Sequence, residues 1–292
     1  MPRGNNGGQL SLHVRAGALT NSPIIDVWAN WWPDEFFAAY PPVGDLYRRL
    51  GMQTRATLGI GDLVEEATDG DVARILISAT VFPGSPSTNA DVAEVVAAKP
   101  SLFSGCASVD PRDGMDAVRA LREAVVKDGH IALKLLPFLY DRSPNDAIYY
   151  PLYAACVDLE IPVLILTGHT AVLRPNDTGR PGQLDDVACH FPELTIIAGH
   201  AGYPWTEELI ALAWKHPNLY IDTSGHRPKH LPSALLRYLN SYGQDKVLFG
   251  TGYPVMDYAT PLAEARALDL KPGVLDRFLG GNTLRAIPGL KV

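Results

Sequence analysis

Eight short apolar runs spaced along 292 residues, with stretches of helical periodicity between them, constrain the fold of this chain more than any other feature. The runs fall at 24–27, 74–77, 105–109, 131–135, 163–166, 194–198, 219–221 and 247–249. Each is too short for a buried helix, and most are rich in Ile, Val and Leu, the pattern of a strand covered on both faces. The intervening segments repeat apolar residues at three- and four-residue spacing. Segment 91–99 places Val92, Val95 and Val96 on one face, and 114–127 does the same with Val118, Leu121 and Val125. Segment 151–159 opens with Pro151, whose missing N–H is harmless in a first helical turn. Further helical segments lie at 182–190, 206–215, 232–239 and 261–267. This alternation predicts an α/β chain closed as a single (β/α)8 TIM barrel. A doubly wound open sheet competes poorly, because no Gly-x-Gly-x-x-Gly follows the first run.

A barrel of this kind needs about 250 residues, and no shift in composition divides the chain. Segment 1–21 is rich in Gly, Asn and Arg and has no apolar block of the signal-peptide type. It is expected to be a flexible N-terminal arm, with the barrel over 22–292. A hydrophobic content of 47% against 20% charged residues can fill a large core. The net charge of −7, with basic residues scattered, argues against nucleic acid or an anionic membrane as partner. No run approaches the roughly 20 apolar residues of a membrane span. Cys106, Cys156 and Cys189 are far apart and odd in number, which suits free thiols in a reducing compartment. A cytoplasmic protein with a small-molecule ligand is the expectation, and a homo-oligomer stays open.

Active sites of such barrels lie at the C-terminal ends of the strands. The residues following each run are therefore the candidates. They are Trp28, Asn30, Trp31 and Trp32 after the first; Ser78 and Thr80 after the second; Asp110 after the third; and Lys134 at the fourth. Thr167 and His169, then His200, then Asp222 and His226, then Gly252, Tyr253 and Asp257 follow the remaining four.

The phrases IIDVWANWWP, FSGCASVDP, ALKLLP, IPVLILTGH, HFPELTIIAGHAGYPW, NLYIDTSG, VLFGTGYP and GGNTLRAI occur in that order between Ile24 and Leu290. In this order and spacing the chain resembles the amidohydrolase-related family, the branch with aminocarboxymuconate-semialdehyde decarboxylase-like and resorcylate decarboxylase-like enzymes. The resemblance implies one divalent metal held by His-x-His after strand one, a histidine ending strand five and an aspartate after strand eight. A further histidine after strand six polarises water or substrate. Here the first pair is Trp28 and Asn30, the strand-five position is Leu166 and the strand-eight position is Gly252. Only the strand-six histidine is kept, as His200. Indole and leucine carbon offer no lone pair to a cation, so no metal and no other cofactor is expected.

His200 is then the leading acid/base candidate, since imidazole titrates near neutrality. Lys134 and Asp222 join it as catalytic candidates. Trp28, Asn30, Trp31, Trp32, His169, Tyr253 and Asp257 are candidates for substrate contact. Tyr140, Tyr149 and Tyr150 are expected at the same mouth, and Asp26 below it with a basic partner such as Lys134. The aromatic rings either stack on a planar ligand or plug the barrel. The leading expectation is a metal-independent hydrolase or C–C lyase, of decarboxylase or cyclase type, acting on a small planar aromatic or carboxylated substrate. A non-catalytic relative that binds a small molecule or supports a partner subunit is the alternative. An atypical metallohydrolase using His169, His200 and Asp222 is a third.

Overall fold

In a computed structural model, which describes residues 22–51 and 59–292, every apolar run becomes a parallel strand. The strands are β1 (Ile24–Asn30), β2 (Val72–Ser78), β3 (Phe103–Ser108), β4 (Ala132–Leu135), β5 (Val163–Leu166), β6 (Ile196–Gly199), β7 (Leu219–Asp222) and β8 (Val247–Leu248). They pair in sequence order, each with the next. The first and last strands meet through the chain that follows β8. Val27 N–H donates to the Phe249 carbonyl at 3.1 Å, Gly252 N–H to that of Trp28 at 2.9 Å, and Asn30 N–H to that of Tyr253 at 2.8 Å. The sheet thereby curls into a (β/α)8 barrel.

The apolar runs are continuous rather than alternating because both faces are covered. One face packs the barrel interior and the other packs the helical jacket. Residues 24–30 are buried throughout, as are 132–135 and 163–166. The jacket helices are Ile60–Asp69, Asn89–Ala98, Met115–Val126, Tyr150–Asp158, Leu184–His190, Thr206–Lys215, Ser233–Leu239 and Ala259–Arg266. Helix Asn89–Ala98 begins two residues earlier than its apolar pattern, because Thr88 and Asp91 close a capping box. The Thr88 hydroxyl accepts from Asp91 N–H at 3.2 Å and the Asp91 carboxylate accepts from Thr88 N–H at 2.8 Å.

The helix Ile60–Asp69 has no counterpart in the sequence reading. Its apolar residues Ile60, Leu63, Val64 and Ala67 do carry the i, i+3, i+4, i+7 spacing, with Leu63 and Ala67 buried and Ile60 and Val64 packed against the core. All three cysteines are free, as expected, with Cys106 and Cys156 buried and Cys189 exposed. Segment 1–21, read as a flexible arm, lies outside the described residues. Among the described residues no helix is long and apolar enough to cross a membrane.

Candidate active site

The strand ends bring Trp28, Asn30, Lys134, His200 and Asp222 together at one end of the barrel. Trp28 and Asn30 are separated by two along β1 and so point to the same side of the strand. Trp28 lays its indole against Gly199 at the end of β6. A Cβ at position 199 would stand 2.7 Å from the ring, so glycine is what admits the indole. The ring meets His200 edge-on, with centroids 5.1 Å apart, and Lys134 Nζ lies 5.5 Å from its centroid. Trp28 is 2% exposed and therefore fills the mouth rather than lining an open one.

Lys134 is buried, and its ammonium donates to Asn30 Oδ1 at 2.7 Å, while Asn30 Nδ2 donates to the Tyr253 carbonyl at 2.8 Å. Among the described residues no carboxylate lies within ion-pair reach of Lys134. Burial lowers its pKa to about 7. The expected Lys134–Asp26 pair does not form. Asp26 instead accepts from Thr251 N–H at 3.0 Å, the Thr251 hydroxyl at 2.5 Å, Tyr258 at 3.1 Å and Trp28 N–H at 3.0 Å. Neutral donors cannot offset the loss of water fully, so burial raises the Asp26 pKa to about 6. Lys134 reaches across to Asn30 because a neutral amide there supplies the acceptor.

His200 directly follows β6 with φ +62°, and Ala201 comes next at +53°. Two consecutive non-glycine residues in the left-handed region cost about 1 kcal/mol or more each. This conformation turns the imidazole inward, where Nδ1 lies 2.9 Å from Ser224 Oγ. The Ser224 hydroxyl makes a short hydrogen bond to Asp222 Oδ2, and Ser224 N–H donates to Oδ1 at 2.9 Å. Asp222 is packed so tightly under β8 that a Cβ at Gly250 would stand 2.3 Å from its carboxylate. Burial, with a smaller contribution from the nearby Asp26, raises the Asp222 pKa to about 7. Burial also pushes the His200 pKa well below its ordinary value, helped by His226, His169 and Lys134. His200 as a whole residue is nevertheless only partly buried.

This hydrogen-bonded chain has two forms that differ by one proton. In the first, His200 Nδ1–H donates to Ser224, whose hydroxyl donates to the Asp222 carboxylate, leaving Nε2 bare. In the second, protonated Asp222 donates to Ser224, Ser224 donates to Nδ1, and Nε2 carries the proton. A unit so connected can take up or release a proton at Nε2 without forming an imidazolium, which burial disfavours.

The other candidates are placed as follows. His169 Nδ1 accepts from Ala171 N–H at 3.1 Å, and its ring faces His226 at 6.2 Å and Tyr203 at 5.6 Å. His169, His200 and His226 thus share one rim, each partly exposed. Trp31 is half-buried beside the mouth. Trp32 turns away, stacking on Phe36 at 4.9 Å and donating to the Thr80 hydroxyl at 3.0 Å. The Tyr253 ring is fully buried against Tyr258. Asp257 accepts from Thr260 N–H at 3.0 Å at the start of helix Ala259–Arg266. Tyr149 and Tyr150 pack among Tyr153, His190 and Phe191 rather than at the mouth, and Tyr140 donates to the carbonyls of Val109 and Val81. Ser224 is the member of the site missed in the sequence. Its signal was its place two residues after Asp222 at the end of β7.

The amidohydrolase family model matches residues 25–288. The chain belongs to the amidohydrolase family. It is similar to an uncharacterised TIM-barrel protein from Bordetella bronchiseptica, at 25% identity and TM-score 0.77 over 91% of this chain and 99% of that one. It shares the fold of 5-carboxyvanillate decarboxylase from Sphingomonas paucimobilis, at 18% identity and TM-score 0.66, with the same coverage. It also shares the fold of 2,6-dihydroxybenzoate decarboxylase from Rhizobium, at 16% identity and TM-score 0.67, covering 91% and 99% of the two chains. No curated protein matches the sequence.

Among the described residues, positions 28, 30, 166 and 252 do not offer a set of side-chain ligands for a divalent cation. Trp28 and Leu166 present carbon and an indole N–H, Gly252 presents only backbone, and Asn30 is engaged by Lys134. Among the described residues, three potential donors converge only at Asp185, Cys189 and His216 on the outer helices. There Asp185 is held by Lys215 and His216.

Proposed function

We propose that this amidohydrolase-family protein is a metal-independent acid/base enzyme, a C–C lyase of the decarboxylase kind acting on a small planar aromatic carboxylate. The observation that carries the reading is the hydrogen-bonded chain from Asp222 through Ser224 to His200. The decarboxylase names of the structures sharing this fold support the substrate class.

Decarboxylation of a hydroxyaryl acid needs a proton delivered to the ring carbon that bears the carboxylate. In its protonated form the relay holds that proton on His200 Nε2. As Nε2–H protonates the carbon, Nδ1 takes the Ser224 proton and Ser224 takes the Asp222 proton, leaving the carboxylate. The bond to the carboxyl group then breaks, its electron pair restores the aromatic ring, and carbon dioxide leaves. Solvent returns a proton to the relay. Lys134, held by Asn30 under the Trp28 ring, supplies positive charge beneath the mouth. An anionic substrate above it favours the charged ammonium. Trp31 offers the partly exposed ring face for stacking.

The test is a panel of hydroxybenzoates, including 2,6-dihydroxybenzoate and 5-carboxyvanillate, followed by product formation with and without chelator. Turnover that survives chelation and falls about 10²–10⁴-fold in His200→Asn is expected. Full activity in His200→Asn, or its abolition by chelator, would overturn the reading. A second reading, ligand binding without turnover, draws on the buried Trp28 indole in the mouth. Saturable binding of the same acids with no product formation would select it.

A further inference from the structure

Asp185, Cys189 and His216 bring three different donor types together on the helical jacket. Asp185 and Cys189 lie four apart on helix Leu184–His190 and so share one of its faces. His216 ends the neighbouring helix Thr206–Lys215, where its backbone N–H donates to the Leu212 carbonyl at 2.8 Å. It stands three residues before β7, at the opposite end of that strand from Asp222. The residue is buried, yet its Nε2 reaches Asp185 Oδ1 at 2.5 Å. One donor atom of each of the three residues lies within 4.8 Å of the other two. An ion pair accounts for part of this cluster, since Lys215 Nζ donates to Asp185 Oδ1 at 2.7 Å and to Oδ2 at 2.8 Å. That pair is complete without a thiol, and cysteine is among the residue types most often buried. Cys106 and Cys156 follow the preference. Cys189 alone of the three stands exposed, and it does so one helical turn from Asp185 and beside His216.

We propose that Asp185, Cys189 and His216 form a jacket site for a zinc-type divalent transition metal, with its fourth position open to water. Thiolate sulfur, imidazole nitrogen and carboxylate oxygen are the donors zinc accepts, whereas calcium and magnesium take oxygen alone. Tetrahedral zinc, with bonds of about 2.0–2.3 Å, holds its donors roughly 3.3–3.6 Å apart, so the cluster needs shifts of only about 1 Å. The ion takes the place of the proton between His216 Nε2 and Asp185 Oδ1, which passes to Nδ1 or to solvent. The Cys189 thiol releases its own proton to solvent. Lys215 keeps Asp185 Oδ2, the oxygen the ion leaves free, but its positive charge opposes the ion. With Cys189 exposed and one position open, the ion exchanges readily, and protein prepared without added metal carries the site empty. A bound ion pins the helix before β6 to the helix before β7 and leaves the relay at the strand ends untouched.

The experiment is titration of the chelator-stripped full chain with cobalt(II), followed by absorption, and then back-titration with zinc. A single cobalt ion per chain is expected, with a thiolate-to-cobalt charge-transfer band in the near ultraviolet that zinc abolishes. Cys106 and Cys156 are buried and cannot supply that band. Cys189→Ser, a change at an exposed position, should remove it. Asp185→Asn and His216→Gln should weaken binding by about tenfold or more, and Lys215→Met should tighten it. Circular dichroism of the metal-free variants separates a lost ligand from a lost fold, and Cys189→Ser carries the test even where His216→Gln fails to fold. A titration without the band overturns the proposal. So does a band that survives Cys189→Ser, or binding that is indifferent to Asp185→Asn.

Discussion

Ser224→Ala removes one oxygen, yet it severs the link between His200 and Asp222. The variant deletes the bond at His200 Nδ1, 2.9 Å long, and the hydroxyl donor to the Asp222 carboxylate. Asp222 then keeps only backbone donors, from Ser224 at its Oδ1 and from His200. A hydrogen bond to a charged group is worth about 1.5–3 kcal/mol, so the rate should fall roughly 10–150-fold. His200→Asn alone should cost about 10²–10⁴-fold. Because the two residues act on one proton, the double variant should be no slower than His200→Asn, a coupling of about 1.5–3 kcal/mol. The pH profile offers an independent reading. The acid form of the relay delivers the proton, and Asp222 is raised to about 7, so turnover should decline as pH rises through about 7. That limb should vanish in Ser224→Ala. Steady-state rates of the four proteins on one hydroxybenzoate, from pH 5 to 9, decide the matter. Additive losses, or an unchanged limb in Ser224→Ala, would refute the relay.

Lys134 tests the charge beneath the mouth through stability. Its folded pKa is lowered from 10.5 to about 7, so between those values the unfolded chain binds a proton that the native chain lacks. Stability due to Lys134 therefore rises with pH across that window, and Lys134→Met should gain roughly 3 kcal/mol more over wild type at pH 6 than at pH 9. Parallel urea midpoints at the two pH values would contradict this. Trp28→Ala should cost about 3–5 kcal/mol in urea unfolding, as expected of a ring that fills space; a loss below 1 kcal/mol would mean the indole is not a packing element. Gly199→Ala should destabilise by about 1–3 kcal/mol because its Cβ meets that ring, and should cost much less in the Trp28→Ala background. Equal costs in both backgrounds would break the assigned contact. Prolonged dialysis against chelator should leave melting temperature and turnover unchanged.

The barrel was legible in the sequence because strand burial is a local pattern. A run such as Val163–Leu166 shows its environment in four consecutive residues, and each run marks the lip that follows it. Trp28, Asn30, Lys134, His200 and Asp222 could be nominated for that reason alone. Which of them touch was not a local matter. Lys134 meets Asn30 across 104 residues, and Asp26 meets Thr251 across 225, contacts that exist only once β8 closes on β1. The same holds for the relay. His200 and Ser224 are 24 apart in sequence, and they meet because β6 and β7 pair with Ala198 opposite Ile221. Rotamers and register then sort the aromatics. Trp28 turns into the mouth over Gly199, while Trp32 and Tyr253 turn into neighbouring layers. The order of apolar runs thus determined the barrel and the residues at its rim. Closure of the sheet decided which side chains share a proton, because that depends on distances between strands that no single strand contains.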